Sequence, residues 1–262
     1  MNSDCRFTIF RYVLDGNAMF YTAVEIARRS RAALRTTSDA IVVGIGYPND
    51  LFPYDKRRHY DLTPPSPDYT PSRRRDGKYY YEDHGGATIF MDFIVNTVRE
   101  FLLSKVFCGV KINREALAGH SYGGLCTLHA MFDSLTPFDT FIVLSPSIAW
   151  NRRYILEEEK RFLESPKQGD GSLPMVLISY GSLEQEPHRR SNMTDEEWRL
   201  YLEISHESRM KDNSDELAER MQKSGRFRAV RLREYEGEDH GSLVPCGLGW
   251  GMGTFLDDER FL

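Results

Sequence analysis

Ala116-Leu117-Ala118-Gly119-His120-Ser121-Tyr122-Gly123-Gly124 is the stretch that decides the fold. An apolar run ends in a serine set between glycines, and a second apolar stretch follows at 125–132. The spacing predicts a strand over 115–119, a tight turn at Ser121 and a helix over 125–132. A serine on so sharp a turn occupies strained backbone space, and its neighbours must lack a Cβ so that the helix can pack close to the strand. Such a serine stands above the sheet edge as a candidate nucleophile.

Outward from this point, strand-like runs at 7–14, 40–45, 140–144, 174–180 and 229–235 alternate with helix-like ones. This alternation predicts the α/β class, a mostly parallel sheet with helices on both faces. A helix over 87–105 is marked by Phe90, Phe93, Ile94, Val98, Phe101 and Leu102 at three- and four-residue spacing. Asn151 is the expected N-cap of another, which stops before Pro166. Thr194-x-x-Glu197 reads as a capping box, and Asn213-x-x-Glu216 as a looser helix start whose helix ends at Gly225. Residues 47–86 differ: prolines 48, 53, 64, 65, 67 and 71 forbid continuous helix, which predicts a long ordered excursion that shapes a pocket.

With 262 residues, 40% of them hydrophobic, residues 1–262 read as a single domain. A net charge of −5 argues against nucleic-acid binding. Local basic clusters exist at Lys56-Arg57-Arg58 and Arg73-Arg74-Arg75, either as solvated loop or as a substrate-facing patch. Cys5, Cys108, Cys126 and Cys246 form no C-x-x-C pair, so neither a zinc site nor a disulfide framework is indicated, and no metal or cofactor is expected. The apolar runs fall short of the ~18 residues of a membrane span, and Met1 to Arg6 lack a signal-peptide layout. A cytoplasmic protein without membrane or nucleic-acid partners is the expectation; oligomeric state is not legible.

An activated serine needs a base, and in the hydrolase layout the order along the chain is nucleophile, acid, histidine. His240, in the loop after the last strand, fits the base. The acid should follow the strand over 174–180, where Glu184 is the choice and Glu186 the reserve. Two N–H donors are needed for the oxyanion. The backbone of Tyr122 supplies one, and the backbone of Asn17, in the loop after the first strand, is the expected second. His84-Gly85-Gly86 reads as a helix start and not as an oxyanion motif, because it stands in the wrong place in the chain order.

Taken together, residues 12–20, 58–64, 119–124, Ser145-Pro146-Ser147 and Gly181-Ser182-Leu183-Glu184 resemble the esterase D and enterochelin esterase family. The resemblance runs from about Tyr12 to Gly241, and within the family it is nearest to fungal intracellular siderophore esterases, which open ester-linked hydroxamates such as triacetylfusarinine C. It implies an α/β-hydrolase fold, a serine esterase acting on a siderophore, Ser121 as nucleophile, His240 as base and Arg58 near the bound ester. Some siderophore-type members lack a third triad residue, so Glu184 rests on chain order. Family members usually open with an antiparallel strand pair, and this chain is expected to lack it. A modest positive rim with Tyr60 and Trp150 would suit a bulky, weakly charged ligand. General carboxylesterase, feruloyl-type esterase and acyltransferase remain open alternatives on the same fold.

Overall fold

A computed structural model describes residues 8–34, 39–48, 52–74, 76–133, 137–166 and 173–256. Six strands form one sheet: β1 (Thr8–Val13), β2 (Asp39–Gly44), β3 (Ile112–His120), β4 (Thr140–Leu144), β5 (Met175–Gly181) and β6 (Ala229–Tyr235). Their order is β2-β1-β3-β4-β5-β6 and every neighbouring pair is parallel. The reversal of winding direction lies between β1 and β3, which is where open parallel sheets leave a crevice at their carboxyl ends. Among the described residues no antiparallel strand pairs with the β2 edge.

Helices cover both faces because β3, β4 and β5 are buried along nearly their whole length. One layer holds α3 (Ala87–Asp92), α4 (Tyr122–Asp133), α6 (Ile155–Glu164) and α8 (Met210–Lys223), which contribute Met91, Leu128, Phe162 and Leu217 to the larger core. The other holds α1 (Gly16–Leu34) and α9 (Leu243–Leu256), with Met19, Ala23, Leu248 and Met252 packed on Val13, Ala118 and Leu177. Beyond α3 the helix widens into i→i+5 turns over Phe93–Arg99 and Leu102–Val106, and Phe107 N–H accordingly reaches Leu102 C=O at 2.8 Å. The apolar period of that segment is closer to four than to 3.6, and the wider turns keep Ile94 on the core.

The excursion over 47–86 carries only the four-residue helix α2 (Arg58–Asp61), as its prolines require. A short antiparallel bridge between Arg73 and Tyr79 folds its tip. Across the cleft stands α7 (Asp195–Ser208), whose start is a full capping box: Thr194 accepts from Glu197 N–H, and Glu197 accepts from Thr194 N–H.

Two expected helix starts lie elsewhere. Asn151 does not cap α6. It sits in the short turn α5 (Trp150–Arg153), where Asn151, Arg152 and Arg153 all have positive φ, at 46°, 54° and 65°. The Asn151 amide is committed instead to the excursion, donating to Ser66 Oγ (2.8 Å) and Asp68 C=O (2.7 Å) and accepting from Thr70 N–H (2.8 Å). Asn213 lies inside α8, buried, and donates to Ser208 C=O, so that helix starts a turn earlier, at Met210. Its end agrees with expectation, with Gly225 left-handed at φ 64°.

Candidate active site

The carboxyl ends of β1, β3, β4 and β5 converge on Ser121. This residue joins β3 directly to α4 with φ 60°, the left-handed conformation that an elbow demands. A Cβ on Gly119 would stand 2.1 Å from Gly123 C=O, so only glycine lets the strand and helix meet there. Tyr122 is the first residue of α4, and its N–H is therefore one of those without an intrahelical acceptor.

Glu184 is buried, 8% exposed, in the loop after β5. Its Oε1 accepts from Ser145 Oγ (2.6 Å) and Gly181 N–H (2.8 Å), and its Oε2 lies 2.5 Å from His240 Nδ1. The carboxylate can only accept, so Nδ1 carries the proton and Nε2 is left as the basic nitrogen. His240 sits in the turn after β6, its ring against that of His120 with centroids 4.4 Å apart. Burial holds His120 well below the ordinary imidazole pKa, so it underlies His240 as a neutral ring. Ser121 Oγ is 3.3 Å from Ser147 Oγ and makes no hydrogen bond to His240.

Arg58 and Asp15 form a bidentate buried pair, Nε and Nη2 each 2.8 Å from a carboxylate oxygen. The guanidinium is flanked by the rings of Tyr54 and Tyr122 at 5.1 and 5.3 Å. Burial works most strongly against its charge, but the hydrogen bonds and the negative charge of Asp15 together outweigh it, so its pKa is raised.

A cleft of about 450 Å³ opens beside these groups, lined by Tyr122, Ser147, Glu184 and His240 at its base and by Trp150, Arg73 and Tyr201 on its walls. Trp150 is 3% exposed and stacks toward Tyr69, which in turn stacks on His84 at 4.0 Å. A smaller chamber of about 230 Å³ shares Tyr122, Ser72 and Arg73 with it and is lined by His59, Arg74 and Glu82.

No protein-family model matches the chain. The siderophore enterobactin esterase of Emericella nidulans is 41% identical over 241 residues, covering 92% of this chain and 80% of that protein. The siderophore triacetylfusarinine C esterase of Aspergillus fumigatus is 40% identical over 251 residues, 95% of this chain and 82% of that protein. The chain belongs to the siderophore esterase family. The solved structure of siderophore hydrolase EstA from Aspergillus nidulans matches with a TM-score of 0.93 at 39% identity, over 98% of this chain and 84% of that one. As a member of this family the protein is an esterase on the α/β-hydrolase fold.

Several residues of this siderophore esterase lie away from where the sequence puts them. Asn17 is in the first turn of α1, and its side chain closes on Tyr47, accepting from N–H at 2.7 Å and donating to C=O at 2.9 Å. Gly46 abuts its backbone nitrogen. Leu14 and Asp15 of that loop approach Gly123 of the elbow. Glu186, the reserve acid, is exposed and pairs with His206. Tyr60 packs on Gly86 and takes no part in lining the cleft. His84 stays clear of the elbow, and Gly86 caps α3 as the helix-start reading expects.

The expected positive rim is largely neutralised. Arg57 pairs with Asp61, Arg58 with Asp15, Arg73 with Glu203 and Glu207, and Arg74 with Glu82; Arg75 lies outside the described residues. Burial, with Arg58 and Arg74 nearby, pushes His59 down to about 4. Glu82 lies 2.9 Å from it, but Arg74 already compensates that carboxylate.

Sequence reasoning missed the roles of Ser145, Ser147, His120 and Asp15. A signal existed for the first two, because Ser145-Pro146-Ser147 directly follows the apolar run over 141–144; in the structure Ser145 stands left-handed at φ 40°. Cys108, Cys126 and Cys246 are free thiols, and Cys5 lies outside the described residues. Among the described residues no cluster of three His, Cys, Asp or Glu side chains is arranged to hold a metal, and no helix is long and apolar enough to cross a membrane.

Proposed function

We propose that this protein hydrolyses ester bonds of a ferric hydroxamate siderophore of the triacetylfusarinine C type, inside the cell, with Ser121, His240 and Glu184 as its catalytic triad. The cleft is large and aromatic, and its charged lining balances: Arg73 and Arg152 face Glu184 and Glu207. That balance carries the substrate reading. A ferric tris-hydroxamate is close to neutral, whereas a ferric tris-catecholate is strongly anionic and would call for an uncompensated cationic wall. The names of the two curated relatives point to siderophore esters of both kinds.

The chemistry follows from the hydrogen-bond order. Ser121 Oγ turns from Ser147 toward His240 Nε2, gives up its proton there and attacks the ester carbonyl carbon. The negative charge that gathers on the carbonyl oxygen meets the Tyr122 N–H, and Arg58 Nη1, left over from the Asp15 pair, anchors the ester nearby. His240 returns its proton to the departing alcohol oxygen, which leaves an acyl-Ser121. Water then repeats the sequence, its proton passing through His240, and releases the acid. Glu184 holds Nδ1–H throughout and stabilises the imidazolium between steps. Iron is cargo of the substrate and takes no part in bond making.

Mass-spectrometric product analysis tests this reading, with ferri-triacetylfusarinine C, ferric enterobactin and p-nitrophenyl butyrate compared by kcat/KM at low and high salt. The expected result is stepwise ester cleavage of the hydroxamate with little salt dependence. Preference for p-nitrophenyl butyrate over both siderophores would remove the siderophore assignment, and a salt-sensitive preference for ferric enterobactin would replace hydroxamate with catecholate.

A further inference from the structure

A second hydroxyl, imidazole and carboxylate stand in line on the helical layer behind the elbow. Thr88, exposed in the first turn of α3, has its Oγ1 3.0 Å from Nε2 of His129. His129 is buried on α4 and its Nδ1 lies 2.7 Å from Oε2 of Glu158, itself buried on α6. Arg161 approaches the other carboxylate oxygen at 3.9 Å. Because Glu158 only accepts, the imidazole proton sits on Nδ1, and Nε2 must accept from the Thr88 hydroxyl. The tautomer is therefore the one that a general base needs. At Ser121 the corresponding hydroxyl contact is still to be made, whereas at Thr88 it is already closed.

The location separates this group from the cleft. His129 follows Ser121 by eight residues on α4, which at 1.5 Å per residue is roughly 12 Å along the helix. Two cavities of about 260 and 270 Å³ meet at His129 and Asp133. The first is lined beside Thr88 by Met91, Val95 and Ala130 together with Asp92, Asn96 and Asp133, a mixed recess with room for a short acyl chain.

We propose that Thr88 is a self-acylation site, served by His129 and Glu158, that takes the acyl group of an activated short-chain ester. Thr88 Oγ1 attacks the ester carbonyl carbon while its proton passes to His129 Nε2. The carbon–oxygen bond to the alkoxy group then breaks, and His129 returns the proton to the departing alcohol. The products are an O-acyl threonine and the free alcohol, with no change of oxidation state. Thr88 lies in regular helix and lacks the glycine turn that presents N–H donors at Ser121, so the modification is a single event and not turnover.

The test uses full-length Ser121→Ala protein, which removes labelling at the elbow, incubated with p-nitrophenyl acetate and followed by intact mass and peptide mapping. One acetyl group is expected on the peptide that carries Thr88. It is absent in Ser121→Ala/Thr88→Val, and Ser121→Ala/His129→Gln acquires it roughly 100-fold more slowly, the scale of a lost general base. Since His129 is buried, Ser121→Ala/Glu158→Gln provides the same readout should the histidine variant fail to fold, with circular dichroism as the check. Acetyl groups on lysines alone, or a Thr88 adduct that forms at the same rate without the His129–Glu158 pair, would overturn the assignment.

Discussion

Asp15 leaves the end of β1 with φ 51° and is met by Arg58 from the excursion through two 2.8 Å hydrogen bonds, directly beside the glycine that follows the elbow. The pair ties the proline-rich segment to the sheet beside the elbow. Removing one partner strands the other. Arg58→Gln is expected to cost about 3–5 kcal/mol in urea denaturation because it leaves a buried carboxylate uncompensated. The double variant Asp15→Asn/Arg58→Gln should recover part of that loss, and a double variant no more stable than the single would show the pair to be electrostatically idle.

Ser121→Ala is expected to lower kcat/KM for ester cleavage by on the order of 10³-fold or more while melting as the parent does. Adding His240→Ala should cost little further, since both residues serve one step. Additive losses in steady-state assays would contradict a shared role.

Glu184→Gln keeps two of the three contacts, because the amide oxygen still accepts from Ser145 and Gly181. The amide nitrogen then faces His240 Nδ1 and drives the proton onto Nε2. A loss in kcat on the order of 10⁴-fold is expected, the scale of a wrong-tautomer histidine. Glu186→Gln should leave kcat unchanged, and silence of both variants would show that the site works as a dyad.

Asn151 holds three contacts to the excursion from a left-handed position. Asn151→Ala loses them and keeps the backbone strain, so the Trp150 wall loosens. A KM increase of roughly tenfold, about 1.4 kcal/mol, with kcat nearly constant is the expected signature in siderophore assays. A fall in kcat alone would mean that the turn serves the chemistry and not the wall.

Stability should decline as pH falls from 6.5 toward 4. His59 has its folded pKa pushed below the ordinary 6.5 to about 4. Between these values the unfolded chain binds a proton that the folded protein excludes, so acid favours unfolding. His120 acts in the same direction. Urea midpoints measured across this window should slope upward with pH, and His59→Gln should flatten the slope; an unchanged slope would place the titration elsewhere.

The sheet was legible because its strands are apolar runs ended by turns: β4 and β6 fall where the sequence puts them, and the others within a few residues. β3 is longer than its apolar part, since Arg114 is held by Asp139, Thr140 and the carbonyl of Phe255, contacts distant in sequence. Helix α9 was illegible for the opposite reason. It is rich in glycine, which carries no helix signal, yet a Cβ on Gly251 would lie 2.5 Å from Ile142, so the helix needs the glycine to seat on β4. At the site, chain order led to Ser121, His240 and Glu184. The partners of Arg73 were not legible, because Glu203 and Glu207 on α7 lie about 130 positions away.

Chemistry and substrate choice occupy separable parts of this chain. The proposed reacting groups hang from strand ends, whereas the cleft walls come from the excursion, the α5 turn and α7, which are fastened by a handful of side chains: Arg58 to Asp15, Asn151 to residues 66–70, and Arg73 to Glu203 and Glu207. Grafting the walls of one relative onto the sheet of another should therefore move ligand range as a cassette, provided these fasteners travel with it. A graft that carries Arg73 without its two glutamates would transplant a cation in place of a hinge, and with it a taste for anions that the donor never had.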